Sequence, residues 1–219
     1  MEALLNYPAR RERMVERDIV GRGITDANVI GAMRRVPREE FVPRALRRLA
    51  YDDAPLPIGR GQTISQPYIV ALMLEALQLT GEGGETALDI GTGSGYAAAV
   101  LSLIAGRVFS IERHEELAHA ARERFERLGY DDIEVRHGDG TRGWPEHAPY
   151  EAILVSAAAP AVPPALKEQL AMGGRLVVPV AAKQFGQRLL RVARVAEDRF
   201  EEGALTAVRF VPLVSGESD

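Results

Sequence analysis

Gly91, Gly93 and Gly95 stand at alternate positions between a short apolar run, Leu88 to Ile90, and an alanine-rich run, Ala97 to Leu101. A buried strand that passes through such a turn into a helix is the opening unit of a doubly wound α/β sheet. The glycines let the backbone turn tightly and come close to a bound group, and the following helix aims its free N–H groups at the same place. The alternation continues beyond this point. Strands are predicted at 86–90, 107–111, 133–137, 150–155 and 174–179, and helices at 95–104, 115–128 and 163–171. Nearly continuous apolar strands with helices between them predict a parallel sheet covered on both faces. Leu189 to Val195 and Thr206 to Val211 read as two more strands linked through Asp198 and Gly203. So short a link predicts an antiparallel pair at the sheet edge.

The first part of the chain follows a different pattern. Residues 8–50 read as helical: Met14, Val15 and Ile19 recur at helical spacing until Gly21-Arg22-Gly23 stops the run. Thr25-Asp26 can cap a second helix carrying Val29, Ile30, Met33 and Val36 on one face, with Pro37 ending it, and a third short helix is predicted from Arg44 to Ala50. Residues 51–66 read as a long irregular loop, and a loop of that length in a compact domain is often functional. Pro67 suits the first turn of the next helix, whose apolar residues run from Ile69 to Leu77. A chain of 219 residues suffices for one substantial core. The expectation is one domain over 1–219, with a helical region and loop in 1–80 and an α/β core in 81–219.

Composition removes several classes of function. There are no cysteines, so disulfides, thiolate metal sites and thiol nucleophiles are excluded. A net charge of −4 gives no bulk attraction to nucleic acid or to membranes. No basic-plus-apolar leader is visible, and no apolar run approaches the roughly 20 residues of a membrane span, so a cytoplasmic location is expected. The first fifty residues carry eleven arginines against seven acids, which read, like the arginines of 122–127, as solvated helix faces. His114, His119, His137 and His147 show no metal-ligand spacing and read as surface residues. Trp144 is equally consistent with a packing anchor and a site residue.

The turn itself points to a nucleotide-like ligand. A second apolar strand, Val108 to Ile111, ends in Glu112, about 20 residues beyond Gly91, the spacing at which an acidic side chain reaches a ribose hydroxyl. Tyr96 occupies the place of the third glycine in a nicotinamide fingerprint, which argues against a dinucleotide-binding oxidoreductase. The pattern Asp89-x-Gly91-x-Gly93-x-Gly95 instead resembles the first motif of the S-adenosylmethionine-dependent methyltransferases. That resemblance implies that Asp89 helps to organise the methionine end of the cofactor. It also implies that Asp139, in His137-Gly138-Asp139-Gly140, addresses the adenine amino group, although the residues alone equally allow a simple Asp-Gly turn.

Gly61-Gln62-Thr63-Ile64-Ser65-Gln66-Pro67-Tyr68-Ile69-Val70 extends the likeness. With Ala50-Tyr51-Asp52-Asp53, Gly143-Trp144-Pro145, Ala157-Ala158-Ala159-Pro160 and Phe210-Val211-Pro212-Leu213, it resembles the protein-L-isoaspartate O-methyltransferase family over nearly the whole chain. The resemblance implies a doubly wound, Rossmann-like class I methyltransferase sheet with an N-terminal helical region and an antiparallel edge pair. It implies S-adenosylmethionine as cofactor and proteins and peptides containing isoaspartyl residues as substrates. Methylation of their α-carboxyl group would initiate repair to aspartate through a succinimide.

By the same resemblance Ser65 belongs to the active site, and Gln62, Thr63, Ile64, Ser65 and Tyr68 line the cofactor and substrate pocket. Gly91 and Gly93 approach the cofactor, Glu112 takes the ribose with Arg113 beside it, and Asp139-Gly140 lies by the adenine. The family often has histidine where this chain has Tyr68. Read without the resemblance, Ser65 is also consistent with a loop serine bonding its own backbone or with a cap on the helix after Pro67. Three alternatives stand beside this reading. One is a methyltransferase for another acceptor, though cytosine-C5 chemistry lacks its cysteine here. The Asn/Asp-Pro-Pro-aromatic motif of base N-methylation is also replaced by Ser156-Ala157-Ala158-Ala159-Pro160. The second is the oxidoreductase, and the third is a non-catalytic S-adenosylmethionine-binding module.

Overall fold

In the computed structural model, which describes residues 6–182 and 186–216, the middle of five parallel strands is β3 (Thr86–Ile90). It is flanked on one side by β4 (Arg107–Glu112) and then β5 (Ile133–His137), and on the other by β6 (Tyr150–Val155) and then β7 (Leu170–Ala182), all in parallel. Two antiparallel strands, β8 (Gly186–Ala196) and β9 (Arg199–Val208), complete a seven-stranded sheet. Chain order reverses between β3 and β6, so the carboxyl ends of these two strands form the crevice in which such sheets bind ligands.

Successive residues of a strand face opposite sides, and the core divides accordingly. Ala87, Val108, Ala152, Leu154 and Val177 pack beneath α3 (Pro67–Leu77), α4 (Tyr96–Ser102), α5 (Glu115–Leu128) and the N-terminal helices α1 (Tyr7–Met14) and α2 (Ala27–Arg35). Leu88, Ile90, Phe109, Ile111, Ile153 and Val178 fill the other face with Trp144, Tyr150 and Leu166. Trp144 is thus a packing anchor, edge-on to Phe109 at 5.4 Å. α6 (Pro164–Glu168) closes that face, and no described helix is long and apolar enough to cross a membrane.

Several expectations need correction. The loop of 51–66 contains a hairpin, β1 (Leu56–Gly59) with β2 (Gln62–Ile64), turned at Gly59-Arg60-Gly61, where all three residues have positive φ. Strands this short, with Pro57 inside one of them, leave almost no periodic signal. The predicted helix 163–171 is only the five residues of α6, because Leu170 already pairs with Tyr150 in the sheet. β9 begins at Arg199 rather than Thr206, and Gly203 lies in the ladder opposite Arg191 rather than in the link. An exposed edge strand carries no apolar alternation, so pairing with β8 defines it.

Nor are the arginine-rich stretches simply solvated. Arg38 is fully buried, and Arg124 of α5 donates to the carbonyls of Glu40 and Ser94 at 2.9 and 2.7 Å, tying α5 to the N-terminal region and to the glycine turn. Of the other local signals, Asp26 caps α2 by accepting from the N–H groups of Asn28 and Val29. Gly23, at φ +96°, ends the first helical run.

Candidate active site

The glycine turn sits at the switch point and is held by the sheet. The N–H of Gly91 donates to Ile111 O at 2.8 Å, and that of Ser156, which follows β6, donates to Ile90 O at 2.8 Å. Glu112 ends β4 only 4 % exposed, with one carboxylate oxygen accepting from Gly93 N–H at 2.8 Å and the other from His114 N–H at 2.9 Å. It therefore fastens the glycine turn to the start of α5. A carboxylate has about four acceptor positions, so two remain for ligand hydroxyls.

One cavity gathers most of the predicted site. Gln62, Thr63, Ile64 and Ser65 from the hairpin side, Gly91 and Gly93 from the turn, Glu112 and Arg113 from the end of β4, and Gly140 all line it. Three predicted residues do not. The Tyr68 ring lies under the Arg22 guanidinium at 3.4 Å, drawn away from the cavity by that cation–π contact. Asp139 holds its own turn and a distant segment together: one oxygen accepts from the N–H and hydroxyl of Thr141, the other from the N–H of Gly216 at 2.8 Å. Burial opposes its ionisation, but these donors outweigh it and hold the group below the ordinary carboxylate range.

Asp89 is the third exception. It is wholly buried behind the turn, with Oδ2 accepting from the Ser110 hydroxyl at 2.7 Å and Oδ1 without a partner among the described residues. Burial pushes its carboxyl up to about 7, against the opposing Ser110 bond and with a further contribution from nearby Glu112. The folded protein thus holds a proton that the unfolded chain releases near pH 4, and stability falls as pH rises from about 4 to about 7. Asp89→Asn is expected to flatten that part of the stability–pH curve, measured as the urea midpoint across the window. Parallel curves for the two proteins would show that Asp89 does not titrate there.

Ser65 does not cap α3. The N-cap residue is Gln66, without a side-chain capping bond, and the helical N–H of Tyr68 is taken by Asp53 at 3.0 Å. Among the described residues the Ser65 hydroxyl has no hydrogen-bond partner, whereas its carbonyl accepts from Arg38 Nη2 at 2.7 Å. Arg38 also donates Nε to Ala50 O at 2.8 Å and lies over Tyr96, a cavity-lining residue, at 4.7 Å. Burial draws its pKa down to about 10, so it remains a cation at neutral pH.

Other lining residues went unrecognised in the sequence. His114 lines the cavity with Nε2 3.4 Å from the Gln62 amide, and Val211 to Val214 form a wall. His147 stacks on Phe109 at 3.9 Å, while His119 is exposed beside Glu123. The position of His114, two residues after the acid that ends β4, was the available signal. Among the described residues no group of three or more acidic or histidine side chains could hold a metal.

A doubly wound sheet with a glycine turn at its switch point and an acid closing the neighbouring strand is a Rossmann-like architecture, and its likeness to solved methyltransferases makes it a class I methyltransferase fold. The chain belongs to the protein-L-isoaspartate(D-aspartate) O-methyltransferase family, whose family model matches residues 9–218. It is 59 % identical to protein-L-isoaspartate O-methyltransferase 2 of Pelobacter propionicus, across 98 % of this chain and 95 % of that one. Protein-L-isoaspartate O-methyltransferase 1 of Rhodopseudomonas palustris is 57 % identical across 97 % of this chain and 86 % of its own. The fold superposes with a TM-score of 0.83 on a Plasmodium falciparum crystal structure assigned to the same activity and complexed with S-adenosyl-L-homocysteine. That protein is 26 % identical, over 94 % of this chain and 99 % of its own.

Proposed function

We propose that this protein transfers a methyl group from S-adenosylmethionine to the α-carboxyl of L-isoaspartyl residues in damaged proteins and peptides. One observation carries the assignment of the site: Ser65, whose hydroxyl has no partner among the described residues, lines the same cavity as the glycine turn and Glu112. The donor set fits the cofactor. The single lining carboxylate among the described residues, Glu112, suits a ribose diol; close-approach backbone at Gly91 and Gly93 suits an amino-acid moiety; Gly140 with the apolar Val211–Val214 wall suits a purine. When bound, S-adenosylmethionine supplies a methyl group already activated by its sulfonium.

An isoaspartyl α-carboxylate is ionised near neutral pH, so no side chain has to act as a base. The protein's own residues need only bind, orient and exclude water from that carboxylate. Ser65 donates its hydroxyl to it, with Thr63 and Gln62 lining the approach, and Arg38 fixes the Ser65 main chain from behind. The ester carbonyl is a better electrophile than the ionised carboxylate, and on the released substrate a backbone amide nitrogen attacks it, expelling methanol as the succinimide closes. Because the hairpin side supplies Gln62 to Ser65 and the α/β part supplies Gly91 to Glu112, neither half holds a complete site, and we read 1–219 as one methyltransferase unit.

Methyl transfer to an isoaspartyl peptide and to its aspartyl twin tests the reading; equal rates would point to a general carboxyl methyltransferase. Ser65→Ala is expected to cut transfer about 10–100-fold while leaving the melting temperature and S-adenosyl-L-homocysteine affinity nearly unchanged. A destabilised but fully active variant would remove Ser65 from the site.

A further inference from the structure

Ser65 has a second open side. A groove on its far flank shares Thr63, Ser65, Ser156 and Val211 with the cofactor cavity, then runs outward between Gln66 and Ile69 on one wall and the segment after β9 on the other. Among the described residues that line it, Arg209 is the only charged one. Arg209 is exposed and makes no hydrogen bond or ion pair with any described residue. The carboxylate closest in sequence to the opposite wall, Asp53, is already engaged by Arg22, by the Gln66 amide and by the Tyr68 N–H.

The backbone that carries Arg209 is held firmly. The N–H and carbonyl of Phe210 are both bonded to the Gln187 amide, at 2.6 and 3.0 Å, and Val211 O accepts from Ala158 N–H at 2.8 Å. An unpaired cation on an anchored strand end, in an otherwise uncharged groove continuous with Ser65, selects for the opposite charge.

Resting on the function proposed above, we infer that this groove seats the polypeptide flanking the reacting isoaspartyl residue, and that Arg209 makes the enzyme favour substrates with an acidic side chain near it. Extended chain advances about 3.3–3.6 Å per residue, so the favoured acid lies within a few positions of the reacting one. Exposed ion pairs are weak and salt-sensitive, which sets the size of the effect.

The test uses isoaspartyl peptides of one length in an alanine background, with a single Glu or a single Lys at each of the two nearest positions on either side. The kcat/KM values are expected to favour Glu over Lys at one or two of these positions by about 2- to 10-fold at low salt. The preference should shrink in high salt, and Arg209→Glu should reverse its order. Equal rates for Glu and Lys peptides at every position, or a preference unaltered by Arg209→Glu, would overturn the inference while leaving the proposed function intact. Failure to methylate any of the peptides, the all-alanine one included, would overturn both.

Discussion

Gly95→Ala will cost about 2–5 kcal/mol of stability, the sum of two separate penalties at one position. Gly95 has φ +88°, a left-handed conformation that an L side chain adopts at a cost of about 1–2 kcal/mol. In addition, an added Cβ would lie 2.5 Å from Cζ and 2.8 Å from Cε1 of Phe125, whose ring is buried between α5 and the core. Relieving that overlap means displacing a packed aromatic ring, which adds about 1–3 kcal/mol. Gly93→Ala is the contrast: it shares the positive φ, at +52°, but its Cβ would press only on Ile58 Cδ1, at 3.2 Å, the far end of an aliphatic side chain, with Gly91 O at an ordinary 3.9 Å. The third glycine of the motif, which does not line the cavity, thus serves packing. Urea unfolding of both variants decides the matter, and a Gly95→Ala protein as stable as Gly93→Ala would contradict it.

Arg38→Met is expected to lower stability by about 2–4 kcal/mol and to impair methyl transfer more than cofactor binding. Methionine can fill much of the space, and it removes the burden of a buried cation. It leaves Ala50 O and Ser65 O without their donors, however, and a buried carbonyl deprived of its partner costs about 1–3 kcal/mol. The second of these carbonyls belongs to the residue placed against the substrate carboxylate, so misplacement of Ser65 should appear in peptide turnover. Arg38→Lys keeps a charge but cannot reach both carbonyls with a planar fork, and should recover only part of either loss. Unfolding curves, peptide kinetics and calorimetry with S-adenosyl-L-homocysteine measure the three quantities. An Arg38→Met protein with native stability and turnover would show that the fork holds nothing in place.

The parts of this protein legible in its sequence are those written in short-range pattern. The apolar runs of β3, β4, β5 and β6, the periodicity of α5, the Asp26 cap and the stop at Gly23 all carry their signals within a few residues, and each element lies where that pattern places it. Much of the cavity was legible too, because the glycine turn and Glu112 are fixed by strand ends and Gln62 to Ser65 belong to a contiguous motif. What the tertiary structure decided is where each side chain points once distant segments meet. Tyr68 turns aside because Arg22 lies over it, and Asp139 is occupied because the chain returns at Gly216. Asp89 is sealed beneath the turn it precedes, and His114 reaches the cavity because Glu112 pins its N–H there. The Val211–Val214 wall and the buried Arg38 depend on partners far away in sequence. Local periodicity and turn chemistry can specify an element, but a side chain's final contacts are chosen by long-range packing and hydrogen bonding, which exist only after the elements have come together.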